Sequence, residues 1–180
     1  MKKAKNTEHS IDINSKVFYP SHGAGHVVRE RMIEFGGEKQ RYYEFEFVNS
    51  SLTISTPVQN IAMLGVRPVE SVASIKKKVK PLKKTPNLKP PSQDYNDIIT
   101  EIDTLLEEAS IESFIKAIQY CNYVIKVREK EGRLIPVSIS KSMKTAIGNI
   151  AGELAVSDGI EFEEAVLQFT KLTGVDAENL

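Results

Sequence analysis

Residues 16–68 read KVFYPSHGAGHVVRERMIEFGGEKQRYYEFEFVNSSLTISTPVQNIAMLGVRP. A strand-like run breaks at Tyr19-Pro20, and a Gly23-Ala24-Gly25 turn follows. Two longer alternating segments are then separated by Gly36-Gly37 and by Asn49-Ser50-Ser51. In Arg41 to Val48, Tyr43, Phe45 and Phe47 share one face and Tyr42, Glu44 and Glu46 the other, the period of two that marks a half-buried strand. Leu52 and Ile54 alternate with Thr53 and Ser55 in the same way, and Pro57 ends that strand by removing a ladder donor. Gly36-Gly37 suits a tight hairpin turn with positive φ, and Val66 to Val69 reads as a short closing strand. The layout predicts a small twisted β-barrel of hairpins, a unit that binds partners more often than it performs chemistry.

Working outward, residues 1–13 are polar and lysine-rich and are expected to be a flexible N-terminus ahead of a barrel over 14–73. From Ser71 to Gln93 there is no acid, while Lys76, Lys77, Lys78, Lys80, Lys83, Lys84 and Lys89 are basic. Pro81, Pro86, Pro90 and Pro91 are spread among them, so 74–91 reads as an extended basic linker.

Residues 92–180 read as a helical domain. Ser92 is placed to cap a first helix with Tyr95, Ile98, Ile102 and Leu105 on one stripe, and Ser110 a second with Phe114, Ile118, Cys121 and Ile125 inward, ended by Gly132. Ser138 or Ser140 is expected to open a third, with Met143, Ile147, Ile150 and Leu154 inward, stopped near Gly159. A last one carries Phe162, Ala165, Val166 and Phe169, then Gly174. The fold class is therefore α+β.

Composition narrows the function. Apolar content of 41% and charged content of 27% are those of an ordinary globular chain with zero net charge. A single cysteine, no apolar run of bilayer length and no apolar stretch after Lys2-Lys3 lead to the expectation of a cytoplasmic protein. His22 and His26 lie in a turn and a strand rather than on one helix, and His9 in the N-terminal segment, so no metal site is expected. Cys121 sits on an apolar stripe without a base to activate it. The Gly23-Ala24-Gly25 turn is too short for a phosphate loop and lacks a following Lys-Ser/Thr; it reads as a place where a side chain does not fit. No enzyme and no cofactor is expected.

The motifs Val17-Phe18-Tyr19-Pro20, His22-Gly23-Ala24-Gly25, Gly37-Glu38, the Tyr42-Tyr43 strand, Leu52-Thr53-Ile54 with Pro57, and Asn60 through Gly65-Val66-Arg67 resemble the CarD/CdnL family of bacterial transcription regulators. They also resemble the polymerase-interacting domain of transcription-repair coupling factors. The helical half is similar chiefly through the order of its helices and the Gly152-Glu153-Leu154 triplet. The resemblance implies a Tudor-like barrel that docks on the β subunit of RNA polymerase. It also implies a compact helical domain that contacts promoter DNA at the upstream edge of the bubble, where a tryptophan wedges into the minor groove and helps hold the open complex. Nucleoid association through polymerase would follow.

This chain has no tryptophan, and the resemblance places Tyr95 at the wedge position. Asn96, Asp97 and Ile98 follow it where many relatives carry bases, and Ile33 and Ser55 fall near positions of polymerase-contacting arginines. The expected polymerase contacts are Arg31, Ile33, Arg41, Tyr43, Glu44 and Ser55. The expected DNA contacts are Lys83, Lys84 and Lys89 in the linker, Tyr95, and a second basic group of Lys126, Lys130, Arg133, Lys141 and Lys144. The alternatives are a polymerase-bound adaptor whose helical half binds protein instead of DNA, and a free-standing nucleic-acid-binding barrel, which the near-neutral charge of residues 1–75 disfavours.

Overall fold

A computed structural model describes residues 11–175. Five strands, β1 (Lys16–Tyr19), β2 (Gly23–Phe35), β3 (Glu38–Phe47), β4 (Ser50–Pro57) and β5 (Arg67–Pro68), form one antiparallel sheet in the order β4-β3-β2-β1-β5. Five α-helices follow: α1 (Val72–Val79), α2 (Tyr95–Glu107), α3 (Ile111–Lys130), α4 (Val137–Asp158) and α5 (Phe162–Thr173). The α+β class is as expected. The expected small β-barrel is corrected to an open sheet with β4 and β5 as its edges. β5 is only two residues long, pairs only with β1, and contains Pro68, which has no N–H to donate.

The hairpins follow the punctuation. Gly36 and Gly37 take φ of 61° and 85°, the two positive values that a two-residue turn between Phe35 and Glu38 requires. Between Val27 and Arg29 the register slips, leaving Val28 as an extra residue that bends β2. Gly25 faces the Glu46 carbonyl so closely that an added Cβ would lie 2.0 Å from its oxygen.

Alternation along β1 builds two cores. Val17 and Tyr19 join Val27, Tyr43, Phe45, Phe47, Ile61 and Val66 on one face. Phe18 and Ala24 point the other way, into a core made by all five helices. The sheet and helices are thus packed together rather than joined by a tether. Small residues allow the approach: at Gly152 on α4 an added Cβ would already be 3.6 Å from Val48 and 3.8 Å from Ala24.

The linker expectation changes most. Residues 72–79 are helical, capped by the Ser71 hydroxyl accepting from Ser74 N, and a 3-10 turn, Lys80–Lys83, follows. Ile75, Val79 and Leu82 are buried in the helical core. The prolines begin only at Pro81, after the α-helix, so they end it rather than prevent it. Residues 85–88 are strapped across α3, where Gln119 Nε2 donates to the Thr85 carbonyl (2.7 Å), Asn122 Nδ2 to that of Pro86 (3.0 Å), and Leu88 N to that of Gln119 (3.2 Å).

Smaller corrections follow the same logic. The cap of α2 is Asp94, not Ser92; its carboxylate accepts from Asn96 N and Asp97 N, while Ser92 Oγ accepts from Asp94 N. α4 starts at Val137 behind Pro136, ahead of Ser138 and Ser140. Leu52 is 60% exposed; the β3–β4 register slips between Glu46 and Phe47, which leaves Ser51 and Leu52 without partners on β3. Ser110 does cap α3, in a reciprocal box with Ser113. Residues 1–10, including His9, lie outside the described residues. Ile11 packs on the sheet core and Asp12 N donates to Ser15 Oγ at 2.9 Å, so residues 11 and 12 of the expected flexible N-terminus are held against the sheet.

Burial pushes the Cys121 thiol up to about 12. Native protein is therefore expected to resist alkylation at pH 8, and unfolded protein to label readily. Equal labelling rates in the two states would contradict that burial.

Candidate functional site

The pairing register sorts the expected polymerase contacts. Arg29 opposes Glu44, Arg31 opposes Tyr42, and Glu44 opposes Ser55, which sets Arg31, Ile33, Glu44 and Ser55 on one face. This is the face that carries Phe18 and Ala24 where α4 packs on it; beyond the bulge it continues as a polar surface. There the Glu44 carboxylate lies 2.7 Å from Arg31 and 3.6 Å from Arg29. Glu44 is buried while both arginines are exposed.

Arg41 and Tyr43 belong to the opposite face. Arg41 forks onto Glu30 at 2.8 and 3.2 Å. The Tyr43 ring is buried at 2% exposure in the sheet core, with its hydroxyl donating to Asp12 Oδ1 at 3.5 Å. Burial, then Asp12, holds the Tyr43 phenol above its ordinary value. Tyr43 is a core residue, which corrects its expected role as a contact. β4 has a neighbour on one side only, so its outer backbone edge offers hydrogen-bonding groups to a partner strand.

The linker lysines also divide. Lys78 pairs with Glu70 at 2.6 Å and Glu112 at 2.7 Å; burial pulls its pKa down, but the two hydrogen bonds outweigh it and hold the ammonium above its usual value. Lys76 pairs with Asp158 at 3.6 Å. In contrast Lys77, Lys80, Lys83 and Lys84 line a groove of about 620 Å³ together with Lys171 from α5. Lys171 was not among the expected contacts, because only the docking of α5 brings it there. Lys89 is exposed further along the strap.

Lys126, Lys130, Arg133, Lys141 and Lys144 are all exposed, but not around one cavity. Lys126 borders a pocket with Pro86 and Asn87 of the strap. Lys144 borders a separate cleft of about 830 Å³ between sheet and helices, opposite Glu107. Tyr95 is half-buried: its hydroxyl is 2.7 Å from Ser138 Oγ and the Arg128 guanidinium lies 5.6 Å from its ring centroid. It ties the start of α2 to the start of α4 and is not a free-standing aromatic wedge. Among the described residues no group of three or more His, Cys, Asp or Glu is arranged to hold a metal, and no helix is long and apolar enough to cross a membrane.

A latch joins the sheet to the helices. The Arg67 guanidinium donates both arms to Glu153, at 2.7 and 2.9 Å, and also to the Ala109 carbonyl at 3.1 Å. It lies 4.6 Å from the Phe18 ring centroid. Glu153, fully buried, accepts in addition from Glu70 N at 2.7 Å. Ser157 Oγ donates to the Glu70 carbonyl and Lys16 Nζ to that of Ser157. The Arg67–Glu153 pair thus fixes β5, the α2–α3 turn and α4 relative to one another.

Residues 11–70 match the family model of the CarD-like/TRCF RID domain. The chain is also similar to "Putative transcription factor YdeB" of Bacillus subtilis (strain 168), 33% identical over 66 residues. That match covers 37% of this chain and 43% of the relative, so it spans less than half the length of either. The resemblance carried by the motifs is borne out over this part of the chain.

Proposed function

We propose that this chain is a non-enzymatic transcription regulator that docks on the β subunit of RNA polymerase and carries its helical half to promoter DNA at the upstream edge of the bubble. The observation that carries the reading is that the family match, residues 11–70, coincides with the whole sheet. In that family context the curled sheet with its own small core serves as the Tudor-like unit. Docking uses the free edge of β4 for strand addition, with Arg31, Ile33 and Ser55 on the adjoining face and Glu44 holding the arginines.

The helical half would meet phosphates through the lysine groove and through Lys89, Lys126, Lys130, Arg133 and Lys141. Such contacts stabilise an open complex only to the extent that they are better on melted than on closed DNA. The shared core and the Arg67–Glu153 latch support this lever-like action, since docking of the sheet also sets the position of the helices. The commitment of Tyr95 to Ser138 and Arg128 gives weight to the second reading, an adaptor whose helices bind protein.

The test is capture of polymerase by the full chain and by an Ile33→Asp/Ser55→Asp variant, both positions being accessible. Loss of at least about tenfold in affinity is expected for the variant. Unchanged capture would remove the sheet face from the docking surface. Retained capture with no effect of Lys83→Gln/Lys84→Gln on promoter-complex lifetime would favour the adaptor.

A further inference from the structure

The most exposed apolar side chains of the helical half lie together at the α3–α4 connection. Leu134 is 91% exposed and Val137 83%, with Ile135 between them at 37%. Apolar groups are ordinarily drawn into a core, and this chain buries its other long aliphatic stripes in the helical half. The tip is also rigid. α3 ends in a Schellman closure, in which Gly132 N donates to the Glu129 carbonyl and Arg133 N to that of Arg128, with Gly132 at φ 64°. Pro136 then opens α4 at φ −63°, and its carbonyl accepts from Ile139 N and Ser140 N. Tyr95 pins the adjacent Ser138. A backbone closed this way needs little further ordering when a partner meets the tip.

The surroundings identify the kind of partner. Of the six bases between residues 126 and 144, Lys126 and Lys144 border other pockets and Arg128 lies over Tyr95, which leaves Lys130, Arg133 and Lys141 nearest the tip in sequence, with Glu129 and Glu131 as the acids there. Lys130 and Arg133 precede Leu134, and Lys141 stands one helical turn beyond Val137. Glu131 is partly neutralised by Arg133 at 3.3 Å. Protein-docking patches are broad and depleted of charge at their centres. A narrow apolar point set among cations matches a polyanion with an apolar interior, as presented where stacked bases meet a phosphate backbone.

We infer that the α3–α4 tip is an apolar wedge that inserts Leu134 and Val137 at a base step of forked DNA while Lys130, Arg133 and Lys141 hold the flanking phosphates. The inference deepens the proposed DNA contact and rests on it, but assigns the unstacking to this tip and not to Tyr95.

The experiment uses the full chain with no polymerase present, at low salt, on forked and fully paired DNA carrying 2-aminopurine at the junction. Wild type is expected to bind the fork and raise the 2-aminopurine emission. Leu134→Ser/Val137→Ser, which removes no buried group, should keep the thermal midpoint, weaken fork binding about tenfold and abolish the emission change. Leu134→Trp should retain it. Lys130→Gln/Arg133→Gln should lower the salt slope of binding by about 1.8, at roughly 0.9 per phosphate.

The inference is overturned if the serine variant unstacks the fork as wild type does, or if wild type binds neither DNA. It is equally overturned if the tip governs binding to phosphatidylglycerol vesicles or self-association instead. Polymerase capture, measured separately, keeps the two readings apart: its loss with the emission change intact sinks the docking proposal alone, whereas intact capture with a silent fork sinks the wedge alone.

Discussion

Glu153→Ala is expected to cost about 3–5 kcal/mol of folding stability, because it strands the Arg67 guanidinium against Phe18 and leaves Glu70 N without its acceptor. Arg67→Ala should cost as much for the opposite reason, since it leaves a carboxylate with no exposure and no counter-charge. The energy concerns the broken pair rather than the intact one. Glu153 is fully and Arg67 partly desolvated on folding, so their mutual attraction largely offsets a penalty already incurred. Arg67→Met combined with Glu153→Gln removes both charges, and the amide oxygen of the introduced glutamine can still accept from Glu70 N. Urea unfolding of this double variant should recover most of the loss. Single variants within about 1 kcal/mol of wild type would show the pair behaving as a solvent-exposed one and would remove it as the latch between sheet and helices.

Gly25→Ala is the second large effect. The new methyl would sit 2.0 Å from the Glu46 carbonyl oxygen and 3.0 Å from the Phe47 Cα, and both are backbone atoms of the paired strand that no rotamer change can move. Relief requires β2 and β3 to part where Gly25 opposes Phe47, next to Val27, Phe45 and Tyr19 of the sheet core. About 3 kcal/mol or more is expected, with loss of polymerase capture. Gly36→Ala is the control. Nothing lies within 4 Å of its added Cβ, so only the positive φ of 61° opposes it, worth about 1 kcal/mol. Similar costs at the two positions would mean that the close approach of β2 to β3 is not as described.

What could be read from the sequence was what local chemistry determines. The alternation of Tyr43, Phe45 and Phe47, the Gly36-Gly37 turn, the Ser110 cap and the glycine stops at 132, 159 and 174 each act within a few residues, and each lies where its pattern places it. What was not legible depended on distant partners. Val28 became a bulge only because β3 offers Phe45 and Glu44 in that register. The lysine-rich segment looked like a tether because its charges and prolines are conspicuous, yet Ile75, Val79 and Leu82 already formed a stripe that needs the other helices to bury it. Tyr43 shares the apolar face of Phe45 and Phe47, and the sheet core that closes over it there takes it out of the expected contact set. A signal for the latch was present: Glu153 stands between Ile150 and Leu154 on an inward stripe, where a carboxylate demands a partner. The identity of that partner, 86 residues away, came only with the fold. Likewise Leu134 and Val137 look like ordinary helix-flanking apolar residues until the packing leaves them outside.

The most direct measurement is amide hydrogen exchange of the full chain with and without RNA polymerase. Strand addition predicts slowed exchange concentrated in β4, residues 50–57, with little change along β5 at the other edge. Tight binding with β4 exchanging as in the free protein, or with protection confined to the helices, would contradict the docking of this sheet on the transcription machinery.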